Sequence, residues 1–316
     1  MDKFMIKSAF RKVRGVTVSI TLLLLTFNLI CYKTFANVKT GNLEKEIGMA
    51  EDKLKNHQLL SLSGKEEALE TNISIEQRIA LYLEGGIKDF GFIYYDLTTK
   101  EKIVINENKV FIAASTYKVG LNMLVYEDII NGVLEINQGI IYDDDKDFED
   151  GTGILKNEID TTLTKPVLLQ KLLDLSIIES DNIASKMLKR TLGGDKETRK
   201  RINEMAELSC DTDSNKTTPE IQFKLLENLY KNRENTYYTH LLNIMKETEF
   251  HDRLDKYLPY EIVAHKIGNY EESINDIAII FTDKPYIIVA YSEGIDEANE
   301  KIAKISKMIY SEQLKK

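Results

Sequence analysis

Cysteine is nearly missing from this sequence: Cys31 lies within an uncharged apolar run, and Cys210 stands alone far beyond it. The chain after residue 36 therefore cannot close an intramolecular disulfide, and its fold must rest on a hydrophobic core. Basic residues are also in deficit. Six of the 42 Lys+Arg and one of the 51 Asp+Glu fall in residues 1–36, so the rest holds 36 basic and 50 acidic residues, near −14. Such a surface repels nucleic acid and anionic membrane surfaces, which excludes both as partners. The four histidines, His57, His240, His251 and His265, show neither HExxH nor close ligand spacing, so no zinc hydrolase and no metal is expected. No G-x-S-x-G elbow occurs, which argues against an α/β-hydrolase. The stretch "YDDDKDFEDG" alternates Asp143, Asp145 and Asp147 but offers Phe148 and Ile154 where a calcium loop needs Gly and Glu. A solvated acidic loop is the expectation there. No internal repeat or low-complexity block is present.

What is there begins with Lys3, Lys7, Arg11, Lys12 and Arg14 ahead of an uncharged run from Val16 to Cys31, followed by "TFA" ending at Ala36. Residues 1–36 read as a signal peptide or an N-terminal membrane anchor through residues 16–31; the run nearly reaches the roughly 17 residues needed to span a bilayer, and both readings stay open. Either way the basic flank stays in the cytoplasm and the remainder is expected to be exported, secreted or held at the cell surface of a bacterium. Leu29 and Ile30 are bulky for a lipidation site at Cys31. Residues 37–73 are charged, with Leu43, Ile47, Ala50 and Leu54 at helical spacing, and read as a polar helical stalk or linker.

From residue 74 to 316 the texture is that of a domain. An amphipathic helix over "SIEQRIALYLEGG" precedes two strands, "FGFIYYDL" and "KIVINEN", joined as a hairpin through "TTKE". Helical periodicity then runs from Ser115 to about Ile130 and through "TKPVLLQKLLDLSII", "IASKMLKRTL" and "PEIQFKLLENLYKN". Strand character returns in "YEIVAHKIG", "NDIAIIFTD" and "PYIIVAYSEG" before a last amphipathic helix over "DEANEKIAKISKMIYSEQL". Two early and three late strands can share a sheet only if the chain returns after a helical excursion. The expected fold is α+β: a five-stranded, mostly antiparallel sheet packed with N- and C-terminal helices, plus an inserted all-α subdomain. A cleft between sheet and insert is the natural place for a site.

In "FIAASTYKVG", Ser115 and Lys118 lie one turn apart at a helix start. A serine hydroxyl needs a neighbouring base to attack a carbonyl, and positions i and i+3 share a helix face, so the Lys118 amine can reach the Ser115 oxygen. The helix N-terminus favours negative charge developing there. Alone, this spacing equally suits Ser115 as a plain N-cap. Downstream, however, come Ser180, Asp181 and Asn182 between two helical stretches, then Lys266, Ile267 and Gly268 on a strand.

The ordered set S-x-x-K, S-D-N and K-x-G resembles the signature of class A β-lactamases and penicillin-binding proteins, and residues from about Ser74 to Tyr310 are similar to that family of serine hydrolases. "LKRTLGG", "TTPEI", "NDIAII" and "GTGILK" fall in matching order. The resemblance implies Ser115 as acylated nucleophile, Lys118 as its base or proton relay, and Ser180 as the group passing a proton to the leaving amine. It implies that Asn182 holds the substrate's amide side chain, that Lys266 meets its carboxylate, and that Gly268 lets its backbone lie along the strand. The oxyanion hole would combine the Ser115 N–H with that of Asn269 or Tyr270. The substrate would be a β-lactam or a D-Ala-D-Ala-type peptide, with no cofactor and a monomeric protein.

Two departures stand out. Ile267 replaces the family's Thr or Ser, so a hydroxyl donor to the substrate carboxylate is missing, with His265 or Asn269 as the neighbours able to compensate. As adjacent strand residues, His265 and Lys266 are expected to point to opposite faces. The family's deacylating Glu, in a Glu-x-x-Leu-Asn loop element, has no counterpart either: only 24 residues separate Gly194 from Pro219, and Glu204 and Glu207 read as solvated helix side chains. An acyl-enzyme is expected, with hydrolysis of the β-lactam amide as the primary reading. A D,D-peptidase acting on cell-wall stem peptides, or a slowly deacylating penicillin-binding sensor, is the alternative.

Overall fold

The computed structural model describes residues 73–316. The signal or anchor expected over residues 1–36 and all but the last residue of the expected stalk lie outside the described residues. Among those described, no helix is long and apolar enough to cross a membrane. The chain divides into two units at Gly85/Gly86. In the first, helix α1 (Ile75–Leu83) starts with a capping box: the Gln77 N–H donates to Ser74 Oγ, and the Ser74 N–H donates to Gln77 Oε1.

The second unit is built on five strands, β1 (Phe90–Asp96), β2 (Lys102–Ile105), β7 (Val263–Tyr270), β8 (Ser273–Ile280) and β9 (Tyr286–Glu293). They lie in the order β2-β1-β9-β8-β7, and every neighbouring pair is antiparallel, more regular than the mostly antiparallel sheet expected. The β1–β2 hairpin turns at Asp96, whose carboxylate accepts from the N–H groups of Thr98 and Thr99 at 2.8 and 2.9 Å. The central strands read as unbroken apolar runs because both faces are covered. Ile277, Ile279, Ile287, Val289 and Tyr291 join the core of the helical insert. Their neighbours Ala278, Ile288 and Ala290 are equally buried, and α9 (Ala298–Gln313) packs on β8 and β9 with Ile302, Ile305 and Ile309 buried. Each fully buried Ile or Val among them contributes roughly 1.5–3 kcal/mol relative to exposure.

Between β2 and β7 the chain makes α2 (Tyr117–Ile130), α3 (Asp144–Asp147), α4 (Leu169–Ile178), α5 (Asn182–Thr191), α6 (Asp195–Met205), α7 (Pro219–Lys231) and α8 (Thr236–Lys246). Two short antiparallel pairs staple this excursion: β3 (Phe111–Ile112) with β6 (Lys216–Thr217), and β4 (Gly139–Ile140) with β5 (Val167–Leu168). Capping fixes where helices begin. Asp181 accepts from the Ala184 N–H at the start of α5, and Thr218 accepts from the Ile221 N–H at the start of α7, with Pro219 in the first turn. Helix α8 is not among the elements expected from the sequence, although Tyr238, Leu241, Leu242 and Met245 repeat at i, i+3, i+4, i+7 and Asn235 caps its start.

The acidic stretch expected to be solvated is only partly so. Asp147 is fully buried and takes both a Nε and an Nη2 hydrogen bond from Arg190 at 2.8 Å, while Asp144 and Asp145 are exposed. A bidentate guanidinium partner is what makes burial of that carboxylate tolerable.

Candidate active site

Ser115 sits in a tight 3-10 turn (Ala114–Thr116) leading into α2, so the α-helix proper starts two residues later than Ser115 and Ser115 is not its N-cap. Ala114 before it holds φ +48°, a left-handed conformation that costs an L-residue roughly 1–2 kcal/mol. The turn is held there from several sides. The Asn215 backbone C=O accepts from the Ala113 N–H at 2.9 Å, and Asn215 Nδ2 donates to the Ala114 C=O at 3.1 Å. Asn275 Nδ2 on β8 donates to the Ile112 C=O at 2.9 Å, and Thr116 Oγ1 donates to the Ala113 C=O and shares a short hydrogen bond with the Tyr291 hydroxyl. Strain at a residue preceding a candidate nucleophile, sustained by this many partners, is a mark of a functional turn.

Gly268 completes the support. A Cβ there would come within 2.9 Å of the Ala113 C=O and 3.1 Å of both the Ala114 Cβ and the Ser115 N. Its missing side chain thus makes room for the serine turn against the strand, a reason that the sequence does not disclose. If Ser115 is acylated, as expected from the sequence, Gly268→Ala should push that turn outward and slow the reaction by up to about 10²-fold, the cost of a misplacement near 1 Å. Stopped-flow mixing of the two proteins with a β-lactam measures it.

Lys118, 1% exposed, reaches across to the α4–α5 junction rather than to Ser115. Its Nζ donates to the Ser180 C=O at 2.8 Å, to Asn182 Oδ1 at 2.9 Å and, longer, to Ser180 Oγ at 3.4 Å. Among the described residues the Ser115 hydroxyl has no hydrogen-bond partner, so the direct contact expected from the helix spacing is not formed in the free protein. Ser180 adopts φ +51°, and this left-handed kink lets both its carbonyl and its hydroxyl accept from Lys118. The loop in front is cut to fit: a Cβ on Gly153 would fall 2.3 Å from Asp181 Oδ2, and Asn182 Nδ2 donates to the Asp150 C=O at 2.9 Å.

Lys266, fully buried on β7, donates to the same Ser180 Oγ at 2.9 Å and to the Ile267 C=O at 3.2 Å. Two lysines therefore converge on one hydroxyl. Burial drives the Lys118 amine well below its ordinary range, and the positive charges of Lys266 and Lys189 push it further. Burial likewise lowers Lys266 to about 7, with Arg253 adding to the shift and Asp276 opposing it. Behind Lys266, the fully buried Arg253 donates to the Asn275 C=O at 2.8 Å, the Gly268 C=O at 3.3 Å and Asn269 Oδ1, pinning the end of β7; Asn269 and Tyr270 are themselves exposed at that end.

Strand alternation puts Lys266 and Gly268 on one face of β7 and His265, Ile267 and Asn269 on the other. Ile267 is 8% exposed and faces away from Ser180's partner, as expected of a β-branched strand residue. Glu204 and Glu207 are both exposed, the former 3.7 Å from Lys200, in keeping with solvated side chains. Sequence reasoning missed Asn215, Tyr291 and Arg253, which brace the site from distant parts of the chain. It also missed Glu149, whose charge acts on Lys118 and whose carboxylate lies 3.5 Å from Lys186. None of the four belongs to a local motif.

A family model described as the beta-lactamase enzyme family matches residues 74–313. The chain belongs to that family. This beta-lactamase-family chain is 27% identical over 260 residues to Beta-lactamase VEB-1 of Pseudomonas aeruginosa, covering 72% of the chain and 86% of that relative. The fold is shared with a solved structure of PBP-A (TM-score 0.68, 20% identity, 77% of this chain and 96% of that one). It is shared equally with the TLA-1 extended-spectrum beta-lactamase (TM-score 0.68, 23% identity, 76% and 98%). A mutant of PBP-A has been solved as an acyl-enzyme complex with penicillin G.

Proposed function

We propose that this beta-lactamase-family serine hydrolase is acylated on Ser115 by β-lactams, opening their amide bond, and that release of the resulting ester is its slow step. The observation that carries the reading is the convergence of Lys118 and Lys266, both with depressed proton affinity, on Ser180 Oγ beside the strained turn that presents Ser115. With substrate bound, a neutral Lys118 turns from its Ser180 and Asn182 partners to the Ser115 hydroxyl and takes its proton as the serine oxygen attacks the β-lactam carbonyl carbon. The oxyanion is met by the Ser115 N–H and by an N–H at the exposed end of β7, Asn269 or Tyr270. As the tetrahedral intermediate collapses, Ser180 hands a proton to the departing ring nitrogen and is replenished from the lysines it bonds. Lys266, in its charged form, attracts the substrate carboxylate, and Asn182 receives the amide side chain.

A D,D-peptidase working on cell-wall stem peptides is the second reading. It is favoured by the exposure of Glu204 and Glu207, which leaves the segment between Gly194 and Pro219 without a buried carboxylate to activate a deacylating water. Both readings place the protein outside the cytoplasmic membrane, on the strength of the basic flank and apolar run in residues 1–36. Monomeric action fits either one. Following a chromogenic cephalosporin and a D-Ala-D-Ala peptide side by side separates them: turnover of the first alone supports the β-lactamase reading, and D-alanine release supports the peptidase.

The two lysines also set a pH profile. Acylation needs Lys118 neutral, so its rate falls as pH drops through the Lys118 titration; carboxylate recognition needs Lys266 charged, so apparent affinity falls as pH rises above about 7. A bell-shaped second-order acylation rate is expected, its acid limb set by Lys118 and its alkaline limb falling away above about pH 7, with each limb approaching tenfold per pH unit. A rate that does not change with pH would remove both lysines from these roles.

A further inference from the structure

On the face of β7 opposite Lys266, three side chains that the sequence spacing left unconnected come together. His251 and Asp255 stand four residues apart in the segment between α8 and β7, and His265 projects from the strand. A ring nitrogen of His251, a carboxylate oxygen of Asp255 and a ring nitrogen of His265 lie within 4.8 Å of one another, and the nitrogens that approach Asp255 are His251 Nδ1 and His265 Nε2. His265 and Asp255 are each 1% exposed, whereas His251 is half-buried and opens the cluster to solvent.

We propose that His251, Asp255 and His265 form a binding site for a divalent transition-metal ion, zinc by its ligand set, which clamps the α8–β7 segment to the strand behind the active site.

Three observations support it. Inside this buried cluster, His265 Nε2 and Asp255 Oδ1 make no hydrogen bond among the described residues, and Nε2 has only a loose ion pair with Asp255 Oδ2, so both atoms keep coordination capacity to spare. Second, the spacing suits coordination: His265 Nε2 and Asp255 Oδ2 are 3.4 Å apart, and a tetrahedral ion with bonds of about 2.0–2.1 Å sets its ligand atoms about 3.3 Å apart. His251 Nδ1 is now in a short hydrogen bond with Asp255 Oδ2, which the ion would replace.

Third, the outer partners that orient metal-binding imidazoles are already in place. Asp276 accepts from His265 Nδ1 at 3.1 Å, which turns Nε2 toward Asp255, and Asp276 Oδ2 is itself fixed by the Leu254 N–H at 3.1 Å. The Tyr260 ring stacks on His251 with centroids 4.2 Å apart. Arg253, between two of the ligands in sequence, commits its guanidinium to Gly268, Asn275 and Asn269, so an ion at this site would brace the wall of the active site through one side chain. With three protein ligands and a half-buried histidine, the fourth position falls to water.

The test uses the full chain, stripped with a chelator and titrated with Co²⁺ and then Zn²⁺. About one equivalent of Co²⁺ should bind with the strong visible absorption of four-coordinate cobalt, Zn²⁺ should bleach it, and the unfolding temperature should rise with Zn²⁺. His251→Ala, at a half-exposed position, should leave the metal-free unfolding temperature close to wild type and weaken binding by more than the roughly 10–100-fold that loss of an outer partner costs. The isosteric Asp255→Asn should weaken binding likewise, whatever it does to the metal-free unfolding temperature. Absence of saturable Co²⁺ binding, or binding unchanged in both variants, overturns the assignment and leaves the cluster as a hydrogen-bonded ion network only.

Discussion

Ser115→Ala abolishes covalent capture of benzylpenicillin while leaving the unfolding transition within about 0.5 kcal/mol of wild type. The chemical half of this expectation follows from valence: without the hydroxyl no ester can form, whatever the lysines do. The structural half follows from the surroundings. The Ser115 hydroxyl has no hydrogen-bond partner among the described residues, and the turn that carries it is held through Asn215, Asn275, Thr116 and the close approach of Gly268, none of which uses that hydroxyl. Removing a half-exposed, unbonded hydroxyl belongs with the near-neutral substitutions. Intact mass after exposure to the drug, alongside a denaturant melt, reads both halves. A variant that still gains the mass of the drug would mean that another residue is the nucleophile.

Lys118→Ala slows acylation by about 10²–10⁴-fold, the range that a positioned general base supplies. The loss goes beyond one proton acceptor. Lys118 also ties the Ser180 carbonyl and Asn182 Oδ1 to α2. Truncation leaves a buried carbonyl unpaired and a cavity beside Ser180, so a stability loss of a few kcal/mol accompanies the kinetic one. Lys118→Met fills most of that volume without offering a base, and comparing the two separates lost support from lost proton transfer. If Lys118→Met acylates at the wild-type rate, Lys118 is not the base.

The layout of this fold was legible in the sequence wherever one local pattern decided the structure. Apolar runs bounded by turn residues marked β1, β7, β8 and β9, and helical periodicity marked α2, α4, α5, α7 and α9. Helix α8 carried the same kind of periodicity and an Asn cap, so its omission was a failure to apply the pattern rather than a lack of signal. The candidate site was legible as three short motifs in order, and the structure brings Lys118, Ser180, Asn182 and Lys266 into one hydrogen-bonded group.

What the motifs could not convey is the geometry between them. Helix spacing suggested that Lys118 bonds to Ser115, but the left-handed backbone at Ser180 presents two acceptors to the lysine, and a buried N–H donor goes where acceptors are. Gly268 was expected to make room for substrate, whereas the nearest atoms to its absent Cβ are those of the serine turn. The histidines, scattered at His251 and His265, carried no spacing signature because one comes from a loop and the other from a strand. Sheet pairing and burial bring them to Asp255, and no one-dimensional pattern encodes that meeting.

The central claim is that Ser115 forms an ester which outlasts the free drug, because the acylating groups are assembled and a buried deacylating carboxylate is missing from the Gly194–Pro219 segment. Its most direct test is a time course of intact-protein mass after mixing the full chain with excess benzylpenicillin and then removing the drug, with peptide mapping of the product. The account predicts an increase equal to one whole drug molecule, mapped to Ser115 and decaying over hours. A mass unchanged at every time point from the earliest quench onward, or an adduct gone within minutes of removing the drug, would contradict it.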